Sequence, residues 1–142
     1  MLLPFPRRIG PELQGRRVRL RLPMRSDYAE WATLRRESRT FLEPWEPRWA
    51  PDELDPSAWR DRVRRARLDH ANGTGLTFLI LDGPTLVGGI AIGNVRHGVS
   101  QSAQIGYWMG ERHAGKGYMS EAIGLVADHA FGPMRLHRLE AA

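Results

Sequence analysis

Residues 16–142 predict a mixed α/β domain, a mainly antiparallel sheet with helices on both faces. Three observations carry that expectation. Val18-Arg19-Leu20-Arg21-Leu22 alternates apolar and charged residues, the period of a half-buried strand. Two apolar runs, 76–81 and 85–95, are joined by the turn Asp82-Gly83-Pro84, which reads as a hairpin. Met119, Ala122, Ile123, Val126, Ala127 and Ala130 then fall on one stripe of a helix.

The other elements follow in order. Residues 1–15 read as a loose arm. Ser26 is placed to cap a helix reaching about Ser38, with Trp31 and Leu34 on its inner face. A connector rich in proline and tryptophan follows, Phe41-Leu42-Glu43-Pro44-Trp45-Glu46-Pro47-Arg48-Trp49. Asp55-Pro56 opens a second helix in cap-then-N1 order. Leu54 and Trp59 are spaced as a hydrophobic staple, and Asn72-Gly73-Thr74-Gly75 ends the helix. After the hairpin, Ala103–Met109 is a third strand of that group. Gly132-Pro133 stops the last helix, and Arg135–Ala142 begins another strand.

Composition narrows the function classes. The chain of 142 residues has one domain's length, and 42% hydrophobic with 26% charged residues is a globular balance. Cysteine is absent, which excludes a disulfide framework, a thiol nucleophile and a thiolate zinc site, and the five histidines show no ligand spacing, so no metal is expected. No apolar run is long enough to span a membrane, and Met1–Pro6 is too short and proline-broken for a signal peptide, so the expected location is the cytoplasm. Net charge is +5, from 20 arginines and one lysine against 16 acids. The excess lies in residues 1–70, where 16 arginines face 11 acids. Because these arginines alternate with acids, they read as solvated helix faces, and no direct nucleic-acid partner is expected.

The lone lysine, Lys116, stands between two glycines in Gly110-Glu111-Arg112-His113-Ala114-Gly115-Lys116-Gly117-Tyr118-Met119. A strand, a glycine-rich turn and a helix N-terminus form an anion site, since the first helical amides lack partners and the dipole is positive there. No acid precedes Glu121 in that helix. A P-loop reading fails because Gly117 stands where a magnesium-binding Ser or Thr is needed, and a dinucleotide fingerprint fails because Ser120 replaces its third glycine.

The stretch Ile105-Gly106-Tyr107-Trp108 through Ala114-Gly115-Lys116-Gly117-Tyr118-Met119-Ser120-Glu121-Ala122 resembles the coenzyme A motif of the GNAT acetyltransferase superfamily. Phe41-Leu42-Glu43-Pro44-Trp45-Glu46-Pro47, Asn94-Val95-Arg96 and Leu136-His137-Arg138-Leu139 are similar to its Rim-type branch, which acetylates N-termini of ribosomal proteins. The resemblance covers residue 16 onward. Two departures stand out. Ala114 and Met119 occupy positions where the superfamily pattern has Gln or Arg and Gly or Ala, and the family's last strands are expected to lie beyond the end of this chain.

The resemblance implies acetyl-CoA as co-substrate. Its pantetheine arm would pair with the backbone of Tyr107, Trp108 and Met109, and its pyrophosphate would lie on Ala114, Gly115, Lys116, Gly117, Tyr118 and Met119. An amide near Met109 would polarise the thioester carbonyl. The implied acceptor is a protein N-terminal α-amine, with a small-molecule amine or a non-catalytic coenzyme A binder as alternatives. An α-amine has a pKa near 8, so about a tenth is neutral at pH 7 and a modest base suffices. Glu46 is the first candidate; Glu43, Gln104 with a water, and His113 are the others. Trp45 and Trp49 stand ready to wall the acceptor site. An unpaired edge at Arg135–Ala142 would favour a homodimer.

Overall fold

The computed structural model describes residues 10–141. Ten elements run in the order β1 (Leu13–Gln14), β2 (Val18–Arg21), α1 (Tyr28–Glu37), α2 (Arg39–Leu42), α3 (Pro56–Asn72), β3 (Leu76–Asp82), β4 (Thr85–Arg96), β5 (Ser102–Met109), α4 (Tyr118–Phe131) and β6 (Arg138–Ala141). The strands form one sheet in sequence order, antiparallel except for the parallel β5–β6 pair. The expected fold class, a mainly antiparallel sheet with helices on both faces, is what the chain adopts.

The faces follow from strand alternation. Leu76, Phe78 and Ile80 of β3 join Val18, Leu20, Ile90 and Ile92 beneath the α4 residues Ala122, Val126 and Ala130. Leu79 and Leu81 point the other way, with Leu86, against Trp31 and Leu34 of α1 and Trp59 and Val63 of α3. Val87 breaks the alternation on β4. The register shifts from Ile80↔Gly88 to Leu81↔Leu86, leaving Val87 as an extra residue that turns toward the α4 side.

Three local expectations need correction. The helix expected from Ser26 begins at Tyr28 after a single 3-10 turn, Arg25–Asp27. Asp27 organises that entry, because its carboxylate accepts from the Met24 amide at 2.7 Å and from both terminal nitrogens of Arg21 at 2.9 Å. The arm 1–15 is not wholly loose. Residues 1–9 lie outside the described residues, but Leu13 and Gln14 pair with Leu20 and Arg19, and the turn closes through Gly15 N to Val18 O at 2.8 Å. The last strand starts at Arg138, not Arg135. Leu136 is drawn into the core, its amide donating to Ala130 O at 2.8 Å, so the segment before Arg138 is a helix exit rather than extended chain.

Candidate active site

β5 is paired along its full length on one side only. Its ladder with β4 runs to Gly88↔Met109, whereas its pairing with β6 stops at Ile105↔Ala141. Gly106–Met109 therefore has no strand partner on the far side among the described residues. The Gly110 amide donates to Val87 O at 2.9 Å across the β4 ladder. Antiparallel alternation then turns the backbone polar groups of Trp108 toward β4 and those of Tyr107 and Met109 toward the open edge.

The glycine-rich loop follows directly. Gly117, at φ 84, is the residue before α4, a left-handed conformation that a side chain would strain. No side chain caps this helix, and the amides of Gly117, Tyr118, Met119 and Ser120 have no acceptor among the described residues. The one acid near the start, Glu121, is committed elsewhere: its Oε2 accepts from the backbone amides of Arg17 and Val18, each at 2.8 Å. Burial would raise its proton affinity, but these two bonds and Arg17 outweigh it and hold the carboxyl below its ordinary range. Arg17 also donates to Lys116 O at 2.6 Å and stacks over the Tyr118 ring, while the Tyr118 hydroxyl donates to Asp82 at 2.5 Å. The far side of the loop is pinned to α1, where buried Ser38 Oγ accepts from the Glu111 amide at 3.0 Å and Glu37 pairs with Arg112 at 2.7 Å. The loop is thus held from outside and by its own bonds, His113 N to Gly110 O and Ala114 N to Glu111 O, so the Ala114 amide is engaged while those of Gly117 to Ser120 stay open.

Two cavities meet at Tyr107 and Trp108. A groove of about 390 Å³ runs along Met109, His113, Ala114, Gly115, Gly117, Tyr118, Met119 and Ser120, with Phe41, Leu42 and Trp45 as its other wall. A cleft of about 490 Å³ opens on the α1/α3 face, between the connector with Glu46, α3, and β4–β5. Trp45, 85% exposed, borders the groove, and Trp49 is buried.

The candidate residues distribute over both cavities. Glu46 lines the cleft, with both carboxylate oxygens engaged: Arg35 donates to each at 2.8 Å, and the Trp49 indole N–H to one at 2.8 Å. Burial alone would raise its proton affinity, yet the Arg35 bond and charge, with Trp49 and Arg62, hold it below the usual range. His113 lines the groove; burial, then the charges of Lys116 and Arg112, keep its imidazole below its ordinary value and neutral near pH 7. Glu43 pairs with Arg39 at 2.6 Å on the exposed side of the connector, and Gln104 accepts from Asn94 at 2.7 Å and lines neither cavity. Lys116 contributes its carbonyl to Arg17, and its side chain is exposed. No group of three or more His, Asp or Glu able to hold a metal occurs among the described residues.

Arg35 is the residue that sequence reasoning missed. Its guanidinium lies between the Trp108 ring of β5, at 4.9 Å, and the Trp49 ring of the connector, at 4.6 Å. It ties the strand of the groove to the wall of the cleft. A signal existed, since Arg35 falls four residues after Trp31 on the buried stripe of α1, an unusual place for a charge. Trp108 is seated by the β4 glycines: a Cβ at Gly89 would collide with its indole nitrogen.

Comparison with known proteins agrees with this geometry. The profile of the acetyltransferase (GNAT) domain family matches residues 17–142. A probable N-acetyltransferase of Bacillus subtilis is 31% identical over 131 residues, 91% of this chain and 72% of that protein. A ribosomal protein uS5 alanine N-acetyltransferase of Escherichia coli is 30% identical over 107 residues, 74% of this chain but 55% of its own length. Among solved structures, Mycobacterium smegmatis RimJ in complex with CoA-disulfide superposes with a TM-score of 0.82 at 35% identity, over 87% of this chain and 61% of that one.

Proposed function

The chain belongs to the acetyltransferase (GNAT) domain family, and from that premise we propose that it transfers acetyl from acetyl-CoA to an amine, the N-terminal α-amine of a ribosomal protein. The observation that supports this best is the junction of an open strand edge with an uncapped helix N-terminus, Tyr107 to Ser120, at the meeting point of two cavities. The residues fit the co-substrate. Outward backbone groups of Tyr107 and Met109 suit an amide-bearing arm, and the open amides of Gly117 to Ser120 suit a pyrophosphate. Ala114 offers no side-chain contact, a small loss where backbone amides do the binding. The acceptor is proposed from the names of the relatives, which include alanine and serine acetyltransferases of ribosomal proteins. The setting is the cytoplasm, and residues 16–142 act as one domain.

Acetyl-CoA supplies an activated thioester. The Met109 amide is directed at the open edge, where a donor would stabilise negative charge developing on the carbonyl oxygen. Trp108 holds that strand against Arg35, and Arg35 fixes Glu46 in the cleft wall. As the neutral amine attacks, its new bond to the acetyl carbon would replace the thioester C–S bond, and the nitrogen's proton would pass to the departing thiolate through a water held at Glu46. With its proton affinity lowered by Arg35, it is a weak base, so the neutral fraction of the acceptor carries the attack. The expected kcat/KM therefore rises with pH through the acceptor's own pKa, near 8. Calorimetric titration with acetyl-CoA, with Mg-ATP as comparison, tests the groove, and mass spectrometry of ribosomal N-terminal peptides tests the transfer. Preference for Mg-ATP, or no acetylated peptide from a folded, acetyl-CoA-binding sample, would refute the proposal.

A further inference from the structure

The charges around the cleft do not cancel. Arg35, Arg48, Arg62 and Arg65 line it together with Glu46, Glu53 and Asp69. Glu46 is consumed by Arg35, and Glu53 by Arg62 at 2.6 Å. Asp69 Oδ1 accepts from the Thr74 hydroxyl at 3.1 Å, where α3 ends. That bond to a neutral hydroxyl leaves the Asp69 charge in place, so four arginines against three acids give the lining one net positive charge; Arg48 and Arg65 are both exposed and neither has a hydrogen bond or ion pair among the described residues. They come from different elements, Arg48 from the connector and Arg65 from α3, one turn beyond Arg62. The rest of the lining on this face includes the apolar or neutral Trp31, Trp59, Leu79 and Gly106.

We infer that this cleft selects acceptors carrying a carboxylate side chain within the first few residues after the reacting amine. The inference rests on the acetyl-transfer reading and narrows its substrate class to an acidic N-terminal segment. The physical reason is complementarity. Two guanidinium groups facing one cavity repel each other and a lysine-bearing segment, and an acidic side chain relieves that repulsion while each guanidinium offers a forked pair of donors. Arg62 adds to the same field although paired, being stacked over Trp31 and close enough to Glu46 to lower its proton affinity. The amine end of the acceptor lies toward Tyr107, where the cleft meets the groove, so the discriminating carboxylate sits further along the chain, toward α3.

The test uses hexapeptides identical except for Glu, Gln or Lys at position 2, 3 or 4. Acetylation is followed by thiol release, and binding by tryptophan fluorescence, since Trp31, Trp59 and Trp108 line the cleft. The expected kcat/KM is about tenfold higher for the best Glu peptide than for its Lys counterpart, a factor that shrinks between low and high salt, as two exposed charge contacts would give. In Arg48→Glu/Arg65→Glu the order of Glu and Lys peptides reverses. A wild-type ratio near one, or a ratio the double variant leaves unchanged, overturns the inference while the transfer reading stands. Tighter fluorescence binding of Glu peptides with no acetylation of any peptide keeps the cleft assignment and sinks the transfer reading. A short single-stranded RNA that displaces the Glu peptides at far lower concentration would assign the arginines to nucleic acid and overturn the inference.

Discussion

Replacing Arg35 by methionine tests the link between the two cavities most directly. The arginine side chain is 7% exposed and Glu46 19% exposed, so the pair is largely but not fully desolvated. Breaking a buried pair by removing one partner costs about 3–5 kcal/mol, because the other charge is left uncompensated. The exposure of Glu46 reduces that. Methionine fills a similar volume between the Trp49 and Trp108 rings and removes the buried Arg35 Nε, which has no hydrogen-bond partner. The net expectation is a loss of about 2 kcal/mol, roughly 6–10 °C in Tm for a chain of this length. Arg35→Met/Glu46→Gln should recover more than half of it, since no charge is then stranded. Urea denaturation of the wild type, the two single variants and the double variant gives the cycle. A double variant as unstable as Arg35→Met would refute the reasoning, as would an Arg35→Met chain as stable as wild type. The pH dependence gives a second check. With the folded carboxyl held below its ordinary 4.5, the pair's contribution is complete above that pH and fades as pH falls through the lower folded value. Glu46→Gln should flatten that acid limb.

Three further outcomes are expected. Gly117→Ala strains a left-handed residue at the head of α4 and brings a methyl toward Arg17 Nη2, at 3.0 Å. Stability should fall by about 1 kcal/mol, and calorimetry should show acetyl-CoA affinity falling at least tenfold, whereas an unchanged affinity would remove the loop from the binding site. Gly89→Val should displace the Trp108 indole and cost about 1–3 kcal/mol by overpacking, read as a changed tryptophan emission with a lowered Tm. His113 should titrate below its ordinary 6.5 in a proton NMR experiment, because burial and then the charges of Lys116 and Arg112 disfavour the imidazolium. The unfolded chain takes that proton more readily, so stability is unaffected above pH 6.5 and is lost as pH falls from there through the lower folded value.

The groove was legible in the sequence because its parts are contiguous. A strand ending at Met109, glycines at 110, 115 and 117, and a helix without an early acid are local facts, and helix-end amides lack partners whatever the tertiary context. The apolar stripe of α4 and the hairpin around Asp82-Gly83 were legible for the same reason, since side-chain period and turn chemistry act within a few residues. Glu46 was readable as a rim residue from its connector but not as a bound one, because its partner Arg35 stands eleven positions away on α1. The entry to α1 was misread because no side chain caps that helix: the Asp27 carboxylate turns back to the Met24 amide and to Arg21 at the end of β2, holding Ser26 in a 3-10 turn.

By itself, then, the sequence determined the order of the long elements, though not the short β1 and α2, the sheet with two covered faces, and the open amides at the head of α4. It could not determine which of the 20 arginines are structural and which face the cleft. That depends on distance between segments remote along the chain, since cation–π contacts need about 6 Å and exposed charges are screened over about 10 Å. Packing put Arg35 between two indoles and Arg62 against Glu53, and left Arg48 and Arg65 lining the cleft with no ion pair among the described residues. It also turned Glu121 away from its own helix toward the amides of β2, which leaves the N-terminus of α4 free for an anion.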